Sequence, residues 1–516
     1  MSTSDPTTHS DAAPGVYTLA DTDPDRLALV APDGHEVTFG GLGEAANRLA
    51  NGLRALGVGR GDVVAGVLHN SVEYFELVMA TTQAGMYLVP INVHLTPGEA
   101  GYIVADSGAK AVIAHADLAA GLAPVADQLP AARFAVGGEV AGWDDYAAMM
   151  AAASPSPPQE RFAGSFMGYT SGTTGRPKGV RRGEMPPIPP ELMITLFAKV
   201  MAGFDLHPGH GVHLACSPLY HAAPGNMASQ LLHLGHSVVI QSKFDAEQVL
   251  RDIEKYRVTS SQMVPTHLHR IMRLPADVRA RYDVSSLTNL LVAGAPFAPE
   301  TKKAVLDWLG PVVWEYLAST EGMVSIASPA DALARPGTVG RPTVEVRILD
   351  SDGRPVPAGE AGRIYFDPKA AFVYHNDPEK TAAAVRDDGF VTAGDIGRLD
   401  EDGYLYLLDR RDDLIISGGV NIYPSEVEQR LLTHPAVADV AVVGASDPQW
   451  GQSVVAFVEL EPGCSAGGEL TAELDRHCRD GLAAQKCPRR YEFPAALPRT
   501  PSGKLLRRTL RESLTG

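Results

Sequence analysis

Residues 169–180 read YTSGTTGRPKGV. Small hydroxyl residues and glycines fill the first half of this stretch, a composition that supports neither a good helix nor a good strand. Such a segment can instead form a loop whose backbone N–H groups and hydroxyls converge on phosphate oxygens, the glycines allowing close approach. Lys178 then supplies a compact positive charge for a polyphosphate. A merely flexible polar loop has the same composition, and these residues alone leave both readings open. No Gly-Lys-Ser/Thr follows at the spacing of a Walker A loop.

Upstream of this stretch the chain alternates helix and strand signals. Leu42, Ala45, Ala46, Leu49, Leu53 and Leu56 recur at helical spacing, and Val63 to Leu68 is a short apolar run of buried-strand type. Thr96-Pro97-Gly98-Glu99 is a helix start with a capping box and Pro at the first helical position. Ala109 to Ala114 is a further strand. This alternation predicts an α/β fold with layers around a mainly parallel sheet. Ser154 to Pro158 reads as a surface linker, and Met185 to Pro190 (MPPIPP) as irregular and mobile. Downstream, Val249, Leu250, Ile253 and Tyr256 mark an amphipathic helix. A new pattern starts after the charged run Asp409 to Asp413, a natural hinge before a small terminal domain.

A chain of 516 residues exceeds one hydrophobic core, so two to four domains are expected. A net charge of -17 argues against nucleic-acid binding, which needs concentrated Lys and Arg. No secretory signal is visible at the N-terminus, and no uncharged apolar run is long enough to span a bilayer. The four cysteines, Cys216, Cys464, Cys478 and Cys487, are scattered, as expected of incidental thiols in a reducing cytoplasm.

The eleven residues Tyr169 to Gly179 resemble the signature of the AMP-forming acyl-adenylate enzymes: acyl-CoA synthetases, peptide-synthetase adenylation domains and beetle luciferases. The resemblance continues to the C-terminus in the family's motif order, and it closes the choice left open above. It implies a large N-terminal domain of layered αβ sheets, residues 1–411, and a small mobile α+β domain, residues 412–516, with the hinge near Asp412. Thr170, Ser171, Gly172, Thr173, Thr174 and Gly175 would hold the polyphosphate with Lys178, and Thr174 would join Glu321 in holding Mg²⁺. Pro218-Leu219-Tyr220-His221 is similar to the segment whose histidine walls the acyl pocket. Ala222, Ala223, Pro224 and Gly225 follow, and these small residues favour a bulky ring-bearing or branched acid. Gly294, Ala295 and Pro296 match the adenine-side turn. In Trp314 to Gly322 (WEYLASTEG), Glu315, Tyr316, Thr320 and Glu321 count among the nucleotide and metal contacts. Leu317 stands where many relatives carry an adenine-stacking Tyr. Asp395 matches the ribose-binding aspartate, with Leu407 and Arg410 following it. Gly418 and Gly419 lie in a loop that would let a pantetheine pass, and Lys504, in PRTPSGK, matches the adenylation lysine.

The resemblance implies that ATP and a carboxylic acid give an acyl-adenylate, which coenzyme A converts to a thioester. Transfer to a carrier protein or a separate partner is the alternative within the class. A chain that ends at Gly516 without a fused carrier tilts the expectation toward coenzyme A. A catalytically silent ligand-binding protein is the reading from another class. Retention of Lys178, Glu321, Asp395, Arg410 and Lys504 together counts against it.

Overall fold

The computed structural model describes residues 14–170, 177–182, 187–295, 297–369, 371–410, 413–417, 420–499 and 505–514. Contacts divide the chain into two compact units. One comprises Met1–Met263, Leu274–Leu291 and Ala370–Ala382, and the other Val264–Arg273, Val292–Lys369 and Ala383–Gly516. The boundary expected at residues 411/412 falls inside the second unit.

The first unit holds the predicted α/β layers. Its six-stranded sheet runs Asp144–Asp145, Ala132–Val136, Ala109–His115, Val63–Val67, Tyr87–Pro90, Ser165–Phe166, every neighbour parallel. The all-buried Val63–Val67 strand reads as an unbroken apolar run because helices cover both faces of such a sheet. The leucine stripe forms Phe39–Ala55, where Leu42, Leu49 and Leu53 are fully buried. Each such burial contributes roughly 1.5–3 kcal/mol. The helix Pro97–Ser107 begins with the expected capping box from Thr96 and Glu99 and stops at Gly108, whose left-handed φ of 67° ends it. A second parallel set runs Ser260–Met263, Val212–Ala215, Ser237–Ile240, Leu27–Val30, and Glu36–Thr38 closes it antiparallel.

One expectation is extended and one needs correction. Ser154 to Pro158 lacks regular structure as predicted, but Asn47, Arg48 and Asn51 donate to its carbonyls and to that of Ala153, fastening it to the long helix. In the proline-rich stretch, Met185 and Pro186 lie outside the described residues. Pro190, however, opens the helix Pro190–Ala202, where its missing N–H costs nothing.

The second unit is mainly antiparallel. Val313–Ser319, Gly322–Ala327 and Arg341–Pro342 form one ribbon, and Val346–Leu349, Gly362–Phe366, Asp395–Leu399 and Leu405–Arg410 form a four-stranded sheet in that order. The C-terminal α+β portion builds its sheet on the hairpin Val437–Asp447/Gly451–Leu460. Helices Pro424–Leu432 and Gly468–Gly481 place Val427, Leu431 and Leu474 in its core. Among the described residues, no helix is long and apolar enough to cross a membrane.

Candidate active site

The signature stretch is the connection of a β-hairpin. Gly168–Thr170 pairs antiparallel with Lys178–Arg182, setting Thr170 opposite Lys178 and Tyr169 opposite Gly179. Ser171, Gly172, Thr173, Thr174 and Gly175 lie outside the described residues, as does the side chain of Thr170. The base of the hairpin is fastened from two distant segments. Tyr169 Oη donates to Asp106 Oδ2 at 2.7 Å, and the His375 N–H donates to the Gly179 carbonyl at 2.8 Å. His375 Nε2 and the Asn376 amide both reach the Asp106 carbonyl, at 3.0 and 3.1 Å. A Cβ at Gly179 would lie 2.7 Å from Met167 Cε and 3.0 Å from the Tyr169 ring, so a larger residue there would have to displace those side chains. Lys178 Nζ meets Asp377 Oδ2 at 3.0 Å, and that bond raises the ammonium pKa. Asp106 and Asp377 have no signature in the sequence, because their partners are distant along the chain.

His221 sits half-buried just before the helix Ala222–His233, its ring centroid 4.6 Å from that of Tyr220. The segment is held from below by buried Asn70, whose amide donates to the Ser217 and Gln241 carbonyls and whose oxygen accepts the Leu219 N–H. The small residues after His221 divide in two. Ala222 is exposed and Ala223 half-buried, whereas Pro224 and Gly225 are buried. A Cβ on Gly225 would fall 2.2 Å from Tyr74 Oη and 2.3 Å from the Leu219 carbonyl. Helix packing accounts for that glycine, and only the two alanines remain as small residues on the more open side.

In the second unit, Ser319 pairs with Gly322, so Thr320 and Glu321 form the two-residue turn of a hairpin. Thr320 Oγ1 donates to Glu321 Oε2 at 3.1 Å, and Glu321 is only 5% exposed. A buried carboxylate beside a hydroxyl is a hard-oxygen donor set. Among the described residues there is no cluster of three or more metal-ligating side chains. The Glu321–Thr320 donor set fits Mg²⁺, which takes one or two carboxylates and completes its shell with phosphate and water.

Glu315 departs from its expected role. Its carboxylate meets Lys302 Nζ at 2.6 Å with both side chains buried; burial pushes the carboxyl pKa up and the ammonium pulls it back. In this structure Glu315 Oε2 is thus paired with Lys302, a partner not foreseen from the sequence. Tyr316 is buried, and Leu317, next along the strand, is half-buried on the opposite face. The Tyr316 ring therefore does not take the place of a residue at 317.

Gly294 turns with a left-handed φ of 91°, beside half-buried Ala295; Pro296 lies outside the described residues. Gly394 makes a similar turn (φ 89°), its N–H donating to Thr392 Oγ1, and this delivers Asp395 to the start of its strand. Asp395 is 8% exposed and lies directly opposite Arg410 in the ladder, with half-buried Leu407 opposite Gly397. The register thus pairs the two positions expected to serve ribose and phosphate on neighbouring strands. The side chain of Arg410 is outside the described residues, as are Arg411 and Asp412.

Gly418, Gly419 and Lys504 also lie outside them. On either side of the glycines, Ser417 pairs with Val420. On either side of residues 500–504, Arg499 bridges to Leu505, and the Leu506 N–H donates to the Pro498 carbonyl. Arg507, half-buried, grips both Glu428 oxygens at 2.7 Å, with Asp413 at 3.5 Å. Burial raises the Glu428 pKa, and Arg507 opposes that shift.

Comparison with known proteins follows the same division of parts. Residues 17–372 match the family model described as AMP-binding enzyme, and residues 426–504 match the AMP-binding enzyme C-terminal domain. The chain is 36% identical over 510 residues to a feruloyl-CoA synthase of an Amycolatopsis species, covering 95% of this chain and 97% of the relative. It is 34% identical over 499 residues to the sulfoacetate–CoA ligase of Cupriavidus necator, covering 94% of each. Among solved structures, ATP-bound MatB from Rhodopseudomonas palustris matches with a TM-score of 0.83 at 29% identity, over 97% of this chain and 98% of that one. The hairpin loop, the Thr320–Glu321 turn, the Asp395–Arg410 ladder and the smaller C-terminal domain are therefore parts of one inherited architecture, and the chain belongs to the AMP-binding enzyme family.

Proposed function

We propose that this chain, an AMP-forming acid–thiol ligase, takes a ring-bearing carboxylic acid through an acyl-adenylate to its coenzyme A thioester. In the first half-reaction a carboxylate oxygen attacks the α-phosphorus of ATP, the bond to the β-phosphate oxygen breaks, and pyrophosphate leaves. In the second, the thiol sulfur attacks the acyl carbon, the carbon–oxygen bond to phosphate breaks, and AMP departs with the thiol proton released. The acid is its own nucleophile, so the protein's task is positioning and charge stabilisation.

The observation that carries this reading is the Thr320–Glu321 turn, where hairpin register fixes a buried carboxylate and a hydroxyl side by side. Glu321 and Thr174 would hold Mg²⁺, which would neutralise phosphate charge. Lys178 and the Thr170 to Gly175 loop hold the polyphosphate. Asp395, acceptor-only when ionised, takes the ribose hydroxyls with Arg410 beside it. Gly294, Ala295, Pro296 and Leu317 border the adenine, and His221 walls the acyl side. Lys504 bridges carboxylate and α-phosphate during adenylation. Residues 412–516 then turn about Asp412, and Gly418 and Gly419 admit the thiol.

A ring-bearing acid is favoured by Ala222 and Ala223 at the more open end of their helix and by the feruloyl-CoA synthase likeness. The sulfoacetate–CoA ligase likeness supports a short anionic acid as the competitor. A cytoplasmic location suits four free cysteines, three of them buried. The test is acid-dependent conversion of ATP to AMP across hydroxycinnamic, benzoic, fatty and sulfonated acids, with and without coenzyme A, the acyl product read by mass spectrometry. A hydroxycinnamoyl- or benzoyl-CoA product is expected. Acyl-AMP that persists with coenzyme A present would move the second half-reaction to a carrier protein, and turnover only with sulfonated acids would exclude the ring.

A further inference from the structure

Lys178 points its ammonium at a carboxylate that is itself rigidly placed. The strand Phe372–Tyr374 pairs with Lys178–Arg182, setting Tyr374 opposite Val180, and the His375 N–H closes onto the Gly179 carbonyl. Asn376 then reverses the chain with a left-handed φ of 55°, its amide bound to the Asp106 carbonyl. Asp377 follows. Its Oδ1 accepts the Lys380 N–H at 2.9 Å and its carbonyl accepts the Thr381 N–H at 3.1 Å, which leaves Oδ2 for Lys178 at 3.0 Å. The other acid facing this lysine, Asp106, already takes the Tyr169 hydroxyl.

The two partners differ in freedom. Asp377 is held by backbone on both sides, whereas Lys178 ends a flexible four-carbon stem. The side chains are 23% and 20% exposed, so water reaches the pair and its net contribution is small. A polyphosphate with several charges competes well against a single carboxylate for such a lysine.

We propose that Asp377 is a positioning counter-ion for Lys178. It holds the ammonium when no polyphosphate is present, yields it when one binds, and takes it back as pyrophosphate leaves. Pyrophosphate is thereby held less tightly than a free lysine would hold it, which favours its release. This rests on the reading of Lys178 as a polyphosphate cation.

The test is calorimetric titration of inorganic pyrophosphate, with MgCl₂, into the full chain. Asp377→Asn keeps an oxygen for the Lys380 N–H, and Asp377→Ser keeps a helix cap by other means. Both variants are expected to tighten pyrophosphate about two- to fivefold, the range of a water-accessible ion pair. In a Lys178→Met background, Asp377→Asn is expected to change nothing, because no ammonium is left to release. Unchanged or weaker binding in both single variants would overturn the proposal, and so would equal tightening with and without Lys178. If Lys178→Met alone leaves pyrophosphate affinity unchanged, the reading of Lys178 fails, and the proposal with it.

Discussion

Two lysine–carboxylate pairs bracket what this chain does with charge. Lys302 and Glu315 meet at 2.6 Å with side chains 5% and 10% exposed; Lys178 and Asp377 meet at 3.0 Å with side chains 23% and 20% exposed. The first pair ties the helix Pro299–Leu309 to the strand that leads into the Thr320–Glu321 turn. With so little exposure, losing either partner would leave the other charge desolvated, so the pair acts as a fixed anchor. The second pair lies at the base of the signature loop, where solvent and phosphate can compete. The chemistry is the same in both. Burial makes one a fixed anchor and lets the other exchange.

The comparison breaks most visibly at Lys302. Lys302→Met strands a buried carboxylate, so a loss of about 3–5 kcal/mol is expected, read as a large fall in thermal midpoint. Adding Glu315→Leu should recover most of it, since an apolar pair of similar volume avoids the desolvation. A single variant as stable as the parent would show that the pair is not an anchor.

A third carboxylate sharpens the point. Half-buried Glu76 is met by the Tyr146 hydroxyl at 2.7 Å, and desolvation pushes its carboxyl up to about 7 despite that bond. An acid with a raised folded pKa favours the native state at low pH. That contribution is full below the unfolded value near 4.5 and is lost as pH rises through about 7. The loss is at most about 3 kcal/mol. Buried neutral His213 and His233, each held near 3, work the other way, destabilising the fold as pH falls below about 6.5. Two histidines shifted by that much outweigh one glutamate, so the parent should lose stability on acidification. Glu76→Gln should make the loss below pH 7 steeper. Thermal midpoints from pH 5 to pH 8 check this, and identical pH profiles would contradict the burial of an ionisable group at Glu76.

At Glu321 the expectation concerns activity. Glu321→Gln keeps the shape of the turn and removes a charged oxygen ligand. Adenylation should fall by at least tenfold and need more MgCl₂, measured by pyrophosphate–ATP exchange. The smallest effect is at Asp377, where Asp377→Asn should leave the thermal midpoint close to the parent's, because the pair is water-accessible.

The elements legible in the sequence were those written locally. The capping box at Thr96 and Glu99 and the leucine stripe of Phe39–Ala55 are set by neighbours a turn or two away. The hydroxyl-rich loop left two readings open from its composition, and only the family resemblance chose between them; residues 171–176 lie outside the described ones. What stayed hidden was set by partners distant in the chain. Asp106 and Asp377 gain meaning only through strand pairing that brings Phe372–Tyr374 beside Lys178–Arg182. Glu315, expected at the nucleotide, is claimed by a lysine on a neighbouring helix, and Gly225 is small because Tyr74 crosses it. Periodicity shows that a face is buried but not what it is buried against.

The most direct measurement of the central claim follows oxygen. The acid identified in the substrate panel is prepared with ¹⁸O in its carboxylate, and turnover with ATP and coenzyme A is run to completion. Attack of that carboxylate on the α-phosphorus, followed by thiol attack on the acyl carbon, leaves one ¹⁸O in AMP and none in pyrophosphate. Label appearing in inorganic phosphate, with ADP as the nucleotide product, would contradict an acyl-adenylate and place the activation at the terminal phosphate instead.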